Sequence, residues 1–154
     1  MTPPESTDLG RDAHHAALER LYAVAPINSL FPSRLSVTGE GRARIDFELG
    51  PEHFHAGGAV HGTAYFKMLD DAAFYAANSL VTDHFLLTTA FNLFFTRPMS
   101  AGPVVAHGRW LSGRRRILVA EGRLEQGGEE VGRGTGTFMI SRIPLSDLPG
   151  YAAP

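Results

Sequence analysis

From Arg42 to Leu49 the chain alternates without a break: Ala43, Ile45, Phe47 and Leu49 fall on one side, Arg42, Arg44, Asp46 and Glu48 on the other. A period of two is that of a strand with one buried and one wetted face. Gly39, Glu40 and Gly41 mark a turn before it, so a hairpin with Leu35–Thr38 is the simplest arrangement. The period then changes. From His61 to Leu80 the run HGTAYFKMLDDAAFYAANSL has no proline, has glycine only near its start and is rich in Ala, Leu and Met, which predicts a helix. Its apolar residues surround the axis instead of forming a stripe, so most of its faces must be covered. Four strand-like runs follow, at about 85–96, 104–111, 116–125 and 130–142, separated by turn signals at 98–103, Ser112–Gly113 and Gly127–Gly128. Short turns between consecutive strands predict an antiparallel meander. Gly132, Gly134 and Gly136 share a face of the last run, which predicts close approach by another element, the apolar helix being the obvious one.

Ahead of these elements, Asp8 is placed to cap a helix from about Leu9 to Val24, ended by Pro26, with Leu18, Leu21 and Tyr22 on one side. Residues 1–8, rich in Pro, Ser and Thr, are expected to be unordered, 9–143 to form one domain and 144–154 a tail. The pattern as a whole predicts an α+β domain, a single antiparallel sheet wrapped around one long central helix, with the N-terminal helix added.

Composition narrows the function. A chain of 154 residues, 44% apolar and 19% charged, builds one core. A net charge of −2 gives no nucleic-acid surface, and the cluster Arg114, Arg115 and Arg116 is too small to supply one. The absence of cysteine excludes disulfides, thiol nucleophiles, thiolate-bound zinc and iron–sulfur clusters. The start MTPPESTDLGRD lacks the basic and apolar regions of a secretory signal, and no apolar run reaches the roughly 18 residues that span a bilayer, so a cytoplasmic location is the default expectation.

Two carboxylates, Asp70 and Asp71, stand in the middle of the apolar helix. One reading is an ion-paired face, because Lys67 precedes them by three and four residues. The other is catalytic. Asp70 shares its side of the helix with Thr63, Phe66, Lys67, Phe74 and Ala77, and desolvation there raises proton affinity, as suits a general base or nucleophile. Asp71 is rotated by about 100° and need not share that environment. Before the helix, HFHAGGAVHGT brings Gly57 and Gly58 and then Gly62 at the helix start, where unpaired N–H groups gather and can hold a developing oxyanion; a turn that merely feeds the helix is the plainer alternative. Gly62 and Asp70 are eight residues and about 12 Å apart on one helix. If both act on one carbonyl, Asp70 must come from a second copy of the chain. His53, His55 and His61 invite a metal reading, but their spacing across a glycine loop is weak support, and no metal or cofactor is expected. There is no Gly-x-Ser-x-Gly nucleophile elbow.

The run GGAVHGTAYFKMLDDAAFYAANS resembles the signature of hotdog-fold acyl-CoA thioesterases of the phenylacetate-degradation type, with its glycine pair, its His-Gly at the helix start and its aspartate within the helix. The later TTAFNLFFTRP resembles the strand that follows in that family, which ends in a similar Arg-Pro, and the likeness extends over roughly residues 20–142. It implies a hotdog fold, hydrolysis of acyl-CoA to acid and CoA, and a homodimer, or a dimer of dimers, with the site at the dimer interface. It further implies that Asp70 is the catalytic carboxylate, that the Gly62 N–H polarises the thioester carbonyl and that Thr88 orients water, an ordinary strand threonine being the other reading. Two positions depart from the pattern. Thr63 replaces the second glycine of His-Gly-Gly, and His55 stands where relatives carry an asparagine. For the substrate, His61 and Thr63 flank the oxyanion position, Phe66, Phe74 and Phe91 are placed to line an acyl slot, and Arg97, Arg114, Arg115 and Arg116 are candidates for the phosphates of CoA. Two rival functions remain. One is an acyl-thioester dehydratase or hydratase pairing His55 or His61 with the helix carboxylate; the other is a non-catalytic acyl-CoA-binding protein.

Overall fold

The computed structural model describes residues 6–152. Helix α1 (Ser6–Ala23) leads through a 3-10 turn at Pro26–Ser29 to β1 (Ser33–Gly39) and β2 (Arg42–Leu49). Helix α2 (Gly62–Asn78) follows, then β3 (His84–Phe95), β4 (Gly102–Ser112), β5 (Ile117–Gln126) and β6 (Glu129–Pro144). The bounds of β2 are those its alternation predicts, and its buried residues are Ala43, Ile45, Phe47 and Leu49. Helix α1 begins at Ser6, so Ser6–Asp8 are helical and Asp8 lies inside the helix instead of capping it. The expectation for residues 1–5 lies outside the described residues. After β6, Leu145 is fully buried and Arg20 of α1 donates to the carbonyls of Gly150 and Tyr151, which packs the C-terminal segment against α1.

All strand pairs are antiparallel, in the order β1-β2-β4-β5-β6-β3. This corrects the meander expectation: β3 does not pair with β4 but lies at the far edge beside β6, Leu87 opposite Met139 and Phe95 opposite Gly132. Alternation along a strand specifies its two faces but not its neighbour. What selects the neighbour is the glycine row of β6. A Cβ on Gly134 would stand 2.3 Å from the Phe91 ring of β3, and one on Gly136 would stand 2.6 Å from it. The three glycines are therefore only partly a seat for the central helix: Gly132 faces Tyr65 of α2, whereas Gly134 and Gly136 accept Phe91.

The helix presses on the sheet elsewhere. Gly108 of β4 and Gly122 of β5 are register partners, and a Cβ would meet the Ala72 carbonyl oxygen at 1.8 Å from the first and the Leu69 oxygen at 2.9 Å from the second. Backbone there touches backbone, which only glycine allows. Met68, Leu69, Ala72, Ala73, Ala76 and Ala77 are consequently sealed from water, and the sheet curls around α2. Among the described residues no helix is long and apolar enough to cross a membrane.

Candidate active site

The start of α2 is built by a histidine and a threonine. His61 is the N-cap, and its Nδ1 accepts the Thr63 N–H at 3.0 Å and stands 3.1 Å from the Thr63 hydroxyl. An accepting Nδ1 places the neutral ring's proton on Nε2. The Ala64 N–H bonds the His61 carbonyl at 3.1 Å. Among the described residues the Gly62 N–H has no acceptor, so one donor at the positive end of the helix is left open. The Phe95 ring lies 3.1 Å from where a Gly62 Cβ would be, and the two residues line one cavity of about 410 Å³ with His55, Tyr65 and Arg97.

The loop ahead of α2 is held by its other histidines. His55 Nδ1 accepts the Gly57 N–H at 2.9 Å and closes the turn in which Gly58 takes a φ of 86°. His53 is buried, accepts the Gly50 N–H at 3.1 Å and stacks on Phe31. The three rings thus serve three different backbone positions.

Asp70 is in a second cavity, of about 300 Å³, together with Thr88, Phe74, Phe85 and Lys67. The Thr88 hydroxyl donates to Asp70 Oδ1 at 2.9 Å. Burial pushes the Asp70 carboxyl up to about 6, opposed by the Thr88 bond and the Lys67 cation and reinforced by Asp71. Its Oδ2 has no hydrogen-bond partner among the described residues. Asp71 lines the same cavity, although the rotation between neighbours on the helix allowed it a different environment. Lys67 Nζ pairs with it and also donates to Asn28 Oδ1 at 2.7 Å. Burial raises the Asp71 carboxyl and Lys67 lowers it again. The adjacent carboxylates thus share one cavity but differ in partners, Asp71 being ion-paired with Lys67 and Asp70 held by a single hydroxyl.

Thr88 reaches Asp70 because of a residue that sequence reasoning passes over. Asn78, fully buried at the end of α2, accepts the Leu86 N–H at 3.1 Å and donates to the carbonyls of Val81 and His84 at 3.0 and 3.1 Å. It sets the offset between helix and strand. A register shift between Thr88 and Ala90 then breaks the β3–β6 ladder immediately beyond Thr88. The one available signal was an asparagine inside an otherwise apolar helix end.

The remaining positions fall elsewhere. Phe74 lines the Asp70 cavity, whereas Phe66 packs edge-on against Phe91 outside it, with ring centroids 5.6 Å apart. Arg97 is beside Gly62 and also bonds Glu129 at 3.1 Å. Arg114 covers the Trp110 ring at 4.7 Å on the β4–β5 hairpin, and Arg115 and Arg116 are exposed there. That hairpin borders neither cavity.

Comparison with known proteins bears on the fold and on the sequence pattern. The sequence pattern of the thioesterase superfamily matches residues 57–132, from the glycine turn to β6. Among curated proteins, the transcription factor FapR of Shouchella clausii is 33% identical over 121 residues, covering 75% of this chain and 61% of that protein, so the match spans less than two thirds of its length. Among solved structures, the conserved protein PA5202 of Pseudomonas aeruginosa is 27% identical with a TM-score of 0.74, covering 79% of this chain and 98% of that one. The E. coli PaaI protein from the phenylacetic acid degradation operon is similar in fold, with a TM-score of 0.76 at 19% identity over 86% of this chain and 98% of its own. The chain therefore has a hotdog fold and, over residues 57–132, carries the sequence pattern of the thioesterase superfamily.

Proposed function

We propose that the protein hydrolyses acyl-CoA thioesters to the free acid and CoA, at sites shared between two copies of the chain. The observation that carries this is the placement of its two halves. One chain holds a carboxylate with a free oxygen in an apolar cavity and an unpaired helix-terminal N–H in another cavity, about 12 Å along the same helix. A single thioester carbon cannot touch both, but it can if Asp70 of one copy faces Gly62 of the other. Strand β3, which carries Thr88, forms one edge of the sheet, and Phe94 and Phe95 near its end are 60% and 58% exposed, a surface suited to a second copy.

In the proposed step Asp70 Oδ2 takes a proton from water as the water oxygen attacks the thioester carbon. The Gly62 N–H stabilises the oxyanion, and its collapse breaks the C–S bond and releases CoA, which receives the proton from Asp70. Thr88 holds the carboxylate at its other oxygen. Arg97, beside Gly62, is the arginine best placed for a CoA phosphate, and we place the reaction in the cytoplasm.

Two dead variants test the shared site. Asp70→Asn removes the base. Gly62→Pro removes the N–H, and proline suits the first helical position, with His61 already extended at φ −66° and ψ 146°. Each alone should lose about a thousandfold in thiol release. Refolded together they should regain about a quarter of wild-type activity, since random pairing makes half the dimers mixed and each mixed dimer has one intact site. Failure of the mixture to recover activity overturns the shared site, and full activity of Asp70→Asn overturns the mechanism.

The likeness to a transcription factor supports a second reading, in which the domain binds an acyl-CoA without turnover. Absence of thiol release across a panel of acyl-CoAs, with binding retained, would establish it.

A further inference from the structure

The cavity around Asp70 has a wall that belongs to neither α2 nor β3. Ala25, Ile27 and Asn28, at and just before the 3-10 turn Pro26–Ser29, line it together with Phe74 and Phe85. Ile27 lines the cavity and is also 48% exposed, so it stands where the cavity meets solvent. The turn is fastened to the catalytic helix by one residue. Lys67, three positions before Asp70, donates to Asn28 Oδ1 at 2.7 Å and to the Tyr22 hydroxyl at 3.4 Å while pairing with Asp71. Asn28 in turn donates to the Tyr22 carbonyl at 2.7 Å. The three N–H groups of Lys67 are all engaged, so the cation fastens the wall and leaves an apolar surface for the ligand.

From Thr88 to Phe85 the strand runs three residues, about 10 Å, past the Phe74 and Phe85 rings, whose centroids lie 4.9 Å apart. A volume of about 300 Å³ is at the small end of the range for ligand pockets. We propose that the turn Pro26–Ser29 is the element that selects the acyl group: Ile27 bounds a slot for a saturated acyl chain of medium length, and the Asn28–Lys67 bond holds that boundary against the catalytic helix. This rests on the acyl-CoA hydrolase reading.

The test is kcat/KM for hexanoyl-, decanoyl- and tetradecanoyl-CoA in the wild type and in Ile27→Ala, Ile27→Trp and Asn28→Ala. The wild type should disfavour tetradecanoyl-CoA. Ile27→Ala should raise the tetradecanoyl-to-hexanoyl ratio about tenfold, and Ile27→Trp should lower the decanoyl-to-hexanoyl ratio by a similar factor. Asn28→Ala should flatten the chain-length profile, which a purely structural bond would leave unchanged. Both Ile27 ratios staying within twofold of wild type, with thiol release intact, overturns the selecting wall and leaves the hydrolase reading standing. No thiol release from any acyl-CoA in the wild type overturns both.

Discussion

Asp70 is tuned by opposing neighbours, and its tuning has a cost in stability. Burial lifts the carboxyl from 3.8 to about 6. Between those values the folded chain holds a proton that the unfolded chain has lost, so stability falls as pH rises through that window. Above pH 6 Asp70→Asn should therefore melt higher than the wild type, by on the order of 2 kcal/mol, while being inactive. Equal melting temperatures at pH 8 would show that the carboxylate is not strained by burial. In the proposed mechanism the charged form is the base, so activity should rise with pH through about 6. Thr88→Val removes the hydrogen bond that favours the charged form, so the acidic limb of its pH–rate profile should move to higher pH. A limb that stays in place would separate Thr88 from the carboxylate's ionisation. The Asp70–Thr88 pair was legible in the sequence only through the family's motif, because nothing local announces which strand hydroxyl a helix carboxylate will meet. The Asp71–Lys67 pair was legible from i,i+4 spacing alone.

At the scale of elements, the contact of α2 with the sheet depends on glycines aligned across strands. Gly108→Ala puts a Cβ against the Ala72 carbonyl and should cost about 3 kcal/mol, or ~10 °C in Tm. Gly127→Ala, at a φ of 61° in the exposed β5–β6 turn with open space around it, is a useful control, expected to show only backbone strain of about 1 kcal/mol. Similar losses in both would mean that the helix does not press on β4. Strand β2 and helix α2 were readable because period and breakers are local properties. The pairing of β3 with β6 was not, since residues such as Leu87 and Met139 are far apart in sequence and any apolar strand face can serve several partners. Asn78 was missed for the same reason: a single asparagine shows its purpose only when both ends of the connection it ties are in place.

For the whole molecule, β3 emerges before β4 and β5, yet its one strand partner among the described residues, β6, is the last to be made. A nascent chain that has reached Gln126 therefore exposes a long apolar strand with nothing to pair against. Translation must deliver Glu129–Pro144 before Thr88 can be held against Asp70, so this hydrogen-bonded pair closes late in biosynthesis. In the interval before β6 arrives, a chaperone or a neighbouring nascent chain could capture β3 first.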